Sequence, residues 1–177
     1  MKFAELPHGN AALALFPSVS GVGWIVFDGP LSPVAWGVSM SAKRASSLQA
    51  KNAQSLAAIE RLLARYRVPV VVLEAFDGAG SRRNARIRAL CRSIISLCAV
   101  NGIAVRIISR REITACFAST SPKTRHATAQ VVASYLPEIR HRLPAKRRAW
   151  DSENPEMALF NAAALLIVHY ANPAQPL

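Results

Sequence analysis

Short apolar runs separated by turn-forming residues occupy the first forty positions. Residues 12–16 and 22–27 are two such runs joined by Pro17–Gly21, and Asp28-Gly29-Pro30 marks another turn before Val34–Met40. This spacing predicts a three-stranded antiparallel meander. The period then changes. Leu48, Leu56, Ile59, Leu63 and Tyr66 recur at helical spacing, with Lys51, Arg61 and Arg65 elsewhere on the same helix. Val68–Glu74 follows as a continuous apolar run closed by an acid. That is the pattern of a strand covered on both faces.

The alternation continues. Ala75–Ser81 is a loop with two glycines, and 82–101 reads as a helix with Ile87, Leu90, Ile94 and Leu97 on one face. Asn101-Gly102 stops it, and Ile103–Ile108 is the next strand. A short helix at 111–117, a loop at 118–123 and a helix from about Thr124 to Leu136 come next. A Pro- and Arg-rich connector (137–150) leads to a last helix over 155–170, with Pro155 in its first turn and a small, apolar body. Three antiparallel strands followed by alternating helices and parallel strands make an α/β domain with a mixed sheet. Its 177 residues suit one domain, 1–177.

Charge sharpens this picture. Against 10 Asp+Glu stand 22 Lys+Arg, a net charge of +12, and 15 of the 22 fall between 82 and 148. They come in clusters, with Arg82, Arg83, Arg86, Arg88 and Arg92 first, then Arg106, Arg110 and Arg111, then Arg140, Arg142, Lys146, Arg147 and Arg148. Such a distribution asks for a polyanion, and arginine suits bidentate phosphate contacts. No apolar run approaches the roughly 20 residues of a membrane span, and the N-terminus lacks the pattern of a secretory signal. Cys91, Cys98 and Cys116 show no paired spacing. A reducing, cytoplasmic setting is therefore expected, with Cys91 and Cys98 in the core. His126 near a helix start is a candidate phosphate contact, and His169 near a helix end is placed to complement the dipole.

In such a sheet, sites form at the carboxyl ends of strands. Glu74 stands at one. A carboxylate there must be paired with a cation, for which Arg82 and Arg83 are at hand, or hold a metal. The order of elements, with that acid closing the fourth strand, resembles the RNase H-like superfamily and, within it, the RuvC-type Holliday-junction resolvases. Four segments carry the resemblance: Leu15-Phe16-Pro17-Ser18 before Gly21-Val22-Gly23-Trp24, Val70–Glu74, Thr124-Arg125-His126, and Asn161–Leu165. It implies an RNase H-like sheet with helices on both faces. The activity it implies is that of a Mg²⁺-dependent endodeoxyribonuclease acting on four-way junctions as a homodimer. In that chemistry several carboxylates hold two metals about 4 Å apart to activate water and steady the leaving oxygen.

The chain departs from that pattern. The first-strand aspartate of the family aligns with Phe16, which cannot ligate a metal, and the final-helix aspartate aligns with Asn161. The candidate catalytic set is therefore Glu74, Glu153, Glu156 and Asn161, with Glu74, Glu156 and Asn161 as possible metal ligands. The Glu-x-x-Glu spacing of Glu153 and Glu156 also suits plain helix-start charge. Asp77 is a rescue candidate, or a turn residue before Gly78. Arg82, Arg83, Arg86, Lys123, Arg125, Arg147 and Arg148 are the candidate nucleic-acid contacts. Two functions follow: a protein that binds branched or duplex DNA with weak or lost cleavage, or an active endonuclease with a rearranged site. A third reading is an assembly protein whose basic face holds RNA or an acidic partner.

Overall fold

Five strands form one mixed sheet in the order β3-β2-β1-β4-β5. The computed structural model describes residues 10–40, 47–78, 83–120, 122–148, 150 and 152–172. The strands are β1 (Ala12–Pro17), β2 (Gly21–Phe27), β3 (Pro33–Met40), β4 (Val70–Glu74) and β5 (Ala104–Ile108). β1, β2 and β3 pair antiparallel, whereas β4 runs parallel to both β1 and β5. The helices are α1 (Leu48–Tyr66), α2 (Ala85–Val100), α3 (Arg110–Cys116), α4 (Arg125–Tyr135) and α5 (Met157–Ala171). This is the mixed α/β architecture expected from the sequence.

Strand alternation decides what each face buries. Leu13, Leu15, Val71 and Leu73 pack with Ile59 and Leu63 of α1 and Leu90 and Ile94 of α2. On the other face, Ala12, Ala14, Phe16 and Val72 pack with α4 and α5, including Val132, Phe160 and Leu165. Helices therefore cover both faces. The body of α5 is buried almost throughout because it lies across β2, β1 and β4 at once. Burying each such large aliphatic side chain contributes about 1.5–3 kcal/mol before conformational entropy is charged. Cys91 and Cys98 lie in these layers, and burial pushes both thiols up to about 11. Among the described residues no helix is long and apolar enough to cross a membrane.

Gly23 sets the height of α5. A Cβ at this position would stand 2.1 Å from the Ala158 carbonyl carbon and 2.5 Å from the Leu159 nitrogen. Only glycine lets the helix start rest directly on the strand. Because Gly23 pairs with Phe16 across the β1–β2 ladder, this close approach lies beside the carboxyl end of β1.

Two helix starts differ from expectation. α2 begins at Ala85 rather than 82, because Asn84 Oδ1 accepts from Ile87 N–H at 2.9 Å and caps the helix. Arg83 thus belongs to the preceding loop and can fold back over the sheet. α5 proper begins at Met157, two residues after the expected start. A tight lead-in turn precedes it, with Met157, Ala158 and Leu159 N–H donating to the carbonyls three residues before, and Asn154 Oδ1 accepting from Glu156 N–H. Pro155 lies in that turn. The connector contains a six-residue stretch of 3₁₀ helix, Pro137–Arg142.

Candidate functional site

β1 and β4 run side by side with Leu15 opposite Leu73, so their next residues, Phe16 and Glu74, emerge together on the α5 face. Glu74 is in turn level with Ile108 of β5. Ring and carboxylate are both largely covered: Phe16 is 6 % exposed and the Glu74 side chain 11 %. The cation over them is Arg83. Its Nη2 donates to Glu74 Oε2, its Nη1 donates to the Pro17 carbonyl at 2.8 Å, and its Cζ lies 4.6 Å from the Phe16 ring centroid. Arg125 Cζ approaches the same ring at 5.7 Å. Each cation–ring contact contributes about 0.5–2 kcal/mol depending on its desolvation.

Phe16 lies where three hollows meet. One of about 600 Å³ is lined by Glu74, Arg110, Phe117, Lys123, Arg125 and Asn161. A second of about 620 Å³ adds Arg83, Asp77 and Glu153, and a third continues past Ser18, Asn154 and Asn161. The floor is apolar and aromatic. Its rim carries Arg110, Lys123 and Arg125, all exposed, so the cleft presents positive charge around the paired Glu74 and Arg83.

The sequence-nominated residues divide accordingly. Glu74, Asn161, Glu153, Arg83, Lys123 and Arg125 share the cleft. Asn161 Nδ2 is closed off from solvent with no hydrogen-bond acceptor among the described residues. Arg147 lines an adjoining hollow with Arg125 and Glu153, and Arg148 lies 5.8 Å from the exposed Trp150 ring. Arg82 lies outside the described residues.

Other candidates are committed elsewhere. Arg86, nominated as a DNA contact, is buried. Its Nη2 donates to the Ser18 and Val19 carbonyls (2.8 and 3.2 Å) and its Nη1 to Asn52 Oδ1, bracing the β1–β2 turn. Burial pulls its pKa down, consistent with a structural cation. Glu156 does not join the three hollows. Arg142 holds its Oε1 at 2.7 Å, so the Glu-x-x-Glu pair splits, one member to the cleft rim and one to the connector. Asp77 reaches the rim but is engaged there by Arg92 at 3.0 Å. His126 Nε2 donates to the Pro144 carbonyl at 2.9 Å and so serves the connector rather than a phosphate. His169, expected to complement the dipole, has its pKa lowered by desolvation and then by the nearby Arg106, which disfavours its charged form.

Arg110 and Phe117 line the cleft without being among the expected site residues. Arg110 opens α3 directly after β5, and the carboxyl-end argument that singled out Glu74 applies equally to it. Phe117 gave no signal, since it closes a short helix whose packing direction is set only by the fold.

This donor set does not fit a pair of Mg²⁺ ions. Hard divalent ions need several converging carboxylate oxygens. The position beside Glu74 carries a benzyl side chain, Glu74 itself is paired with Arg83, and position 161 offers a neutral amide. Among the described residues no three His, Cys, Asp or Glu side chains are grouped to hold a metal.

No protein-family model matches the sequence, and no curated protein matches it significantly. Solved structures do. Thermus thermophilus RuvC superimposes with a TM-score of 0.67 at 16 % identity, over 94 % of this chain and 99 % of that one. The same protein in complex with Holliday junction substrate gives 0.67 at 15 % identity, with the same coverage. The yeast mitochondrial Holliday junction resolvase gives 0.56 at 10 % identity, over 94 % of this chain and 82 % of that one. The chain therefore has the RuvC-like, RNase H-like fold that its sequence resembles.

Proposed function

We propose that this protein binds branched or duplex DNA in the cleft at the carboxyl ends of β1 and β4 and does not cut it. The observation that carries the reading is Phe16. A buried ring stands at the place where the resemblance puts an acid, on the floor of a cleft whose rim is cationic. A phosphate backbone meets complementary charge there, while Phe16 and Asn161 stand where the resemblance puts two of the carboxylates that metal-assisted hydrolysis needs. One neighbour is RuvC in complex with Holliday junction substrate and another is a Holliday junction resolvase, which makes a four-way junction the first DNA to try. The homodimer implied by the resemblance belongs to the same proposal.

The deciding experiment incubates purified protein with four-way-junction and duplex DNA, with and without Mg²⁺ or Mn²⁺, and scores binding and cleavage separately. Binding that weakens with salt, without cleavage, is expected. Lys123→Ala and Arg125→Ala should each weaken binding and reduce the salt slope by about one. Metal-dependent cutting abolished by Glu74→Gln would instead establish the rearranged endonuclease.

A further inference from the structure

We infer that the Arg83 guanidinium is the resident cation of the cleft: it neutralises Glu74, closes that carboxylate to divalent ions and lets the cleft accept a DNA phosphate without metal. Its nucleic-acid part rests on the DNA-binding reading above; its metal part stands alone.

Three of its contacts hold the guanidinium in place. It donates to Glu74 Oε2 on one side and to the Pro17 carbonyl on the other, and it lies 4.6 Å over the Phe16 ring face. A ring face attracts a cation, and a carbonyl and a carboxylate both accept from one. The three groups thus form a seat for a planar, permanent cation. The cap at Asn84 keeps residue 83 out of α2 and so delivers it there. Two arginines that follow on α2 are committed elsewhere. Arg86 is committed to Ser18, Val19 and Asn52, and Arg92 to Asp77.

Electrostatics supplies the role. A phosphate entering between Arg110, Lys123 and Arg125 would meet the Glu74 carboxylate at the cleft wall, and like charges repel strongly where water is scarce. A carboxylate at that place must be neutralised before an anion can settle, and here the chain does so itself. Replacing Phe16 by an acid would therefore not create a metal site. It would give Arg83 a second carboxylate to hold.

The test measures junction binding in EDTA and in Mn²⁺, and the Mn²⁺-dependent shift in melting temperature, for wild type and variants. Wild type should bind DNA equally in both and show no Mn²⁺ shift. Arg83→Ala should lose about tenfold in affinity in EDTA, from unscreened repulsion by Glu74, and regain most of it in Mn²⁺. Glu74→Gln should bind more tightly than wild type. The double variant Arg83→Ala/Glu74→Gln, which leaves no unpaired charge to endanger folding, should recover in EDTA and ignore Mn²⁺. Phe16→Asp should show no Mn²⁺ shift until Arg83→Ala is added. Undiminished affinity of Arg83→Ala in EDTA, or an Mn²⁺ shift in Phe16→Asp alone, would overturn the inference while leaving DNA binding intact. A wild type that binds no DNA would defeat the function instead, and the melting shifts would still decide the role of Arg83.

Discussion

The two ends of α5 each face a covered arginine, and the two arginines do different work. Toward the C-terminal end, Arg106 projects from β5 beneath the helix. Its Nη1 donates to the His169 carbonyl at 2.9 Å and to His169 Nδ1 at 3.2 Å, and Glu112 lies 3.9 Å from its Nη2. This cation satisfies a helix-end carbonyl inside the protein and lines none of the three hollows around Phe16. At the N-terminal end, Arg83 is almost as well covered, at 13 % against 5 % exposure, but it lines the wall of an open hollow with rim cations nearby. Burial and pairing alone therefore do not mark a functional arginine. What separates the two is the surface they help to form.

Three measurements press on that contrast. The largest effect is expected from Gly23→Ala, which drives a methyl group into the Ala158 backbone at the N-terminal end of α5. It should cost about 3 kcal/mol and lower the melting temperature by about 6–12 °C. Because it displaces the start of α5, it should also weaken DNA binding by the folded protein. Next comes Arg106→Met at the opposite end. Loss of a charged donor to the His169 carbonyl should cost about 1.5–3 kcal/mol, read as a melting shift, while DNA affinity per folded molecule stays at the wild-type value. A change in affinity here would erase the distinction between the two ends.

The smallest effect concerns pH. His169 has its pKa lowered by desolvation and then by Arg106, and an Arg donor needs Nδ1 unprotonated. The unfolded chain then binds a proton at its ordinary pKa before the folded chain does. Stability from this group is complete above that value and declines as pH falls below it. Glu112, held below the carboxylate range by hydrogen bonds from Ser109, adds a further loss only in more acid solution. A melting curve from pH 7.5 to 5.5 should therefore slope downward, and His169→Gln should flatten it. An unchanged slope in that variant would remove His169 from the account.

Much of this architecture was legible because strands and helices announce themselves by period. The run Val70–Glu74 reads as a buried strand ending in an acid, and its carboxyl end is where the cleft lies. Pairing of Glu74 with a following arginine was legible too, since a lone carboxylate at that place is costly. Charge counting failed where side chains fold inward. Arg86 and Arg106 look in sequence like members of a basic surface, yet backbone carbonyls far along the chain claim both. Glu156 was misplaced for a similar reason, because its partner Arg142 sits in a connector that pattern reading leaves shapeless. The Asn84 cap was visible as a residue type, yet the expected helix ran past it to 82 although the apolar period begins only at Ile87.

The seat of α5 on Gly23 carries a practical consequence. At this one point backbone rests on backbone, with no side chain between strand and helix. The placing of positions 16, 74 and 161 thus rests on the frame, through the β1–β4 ladder and the Gly23 contact. Chemistry at this corner can be exchanged by substitution alone, as on a jig whose clamps stay put while the workpiece is changed.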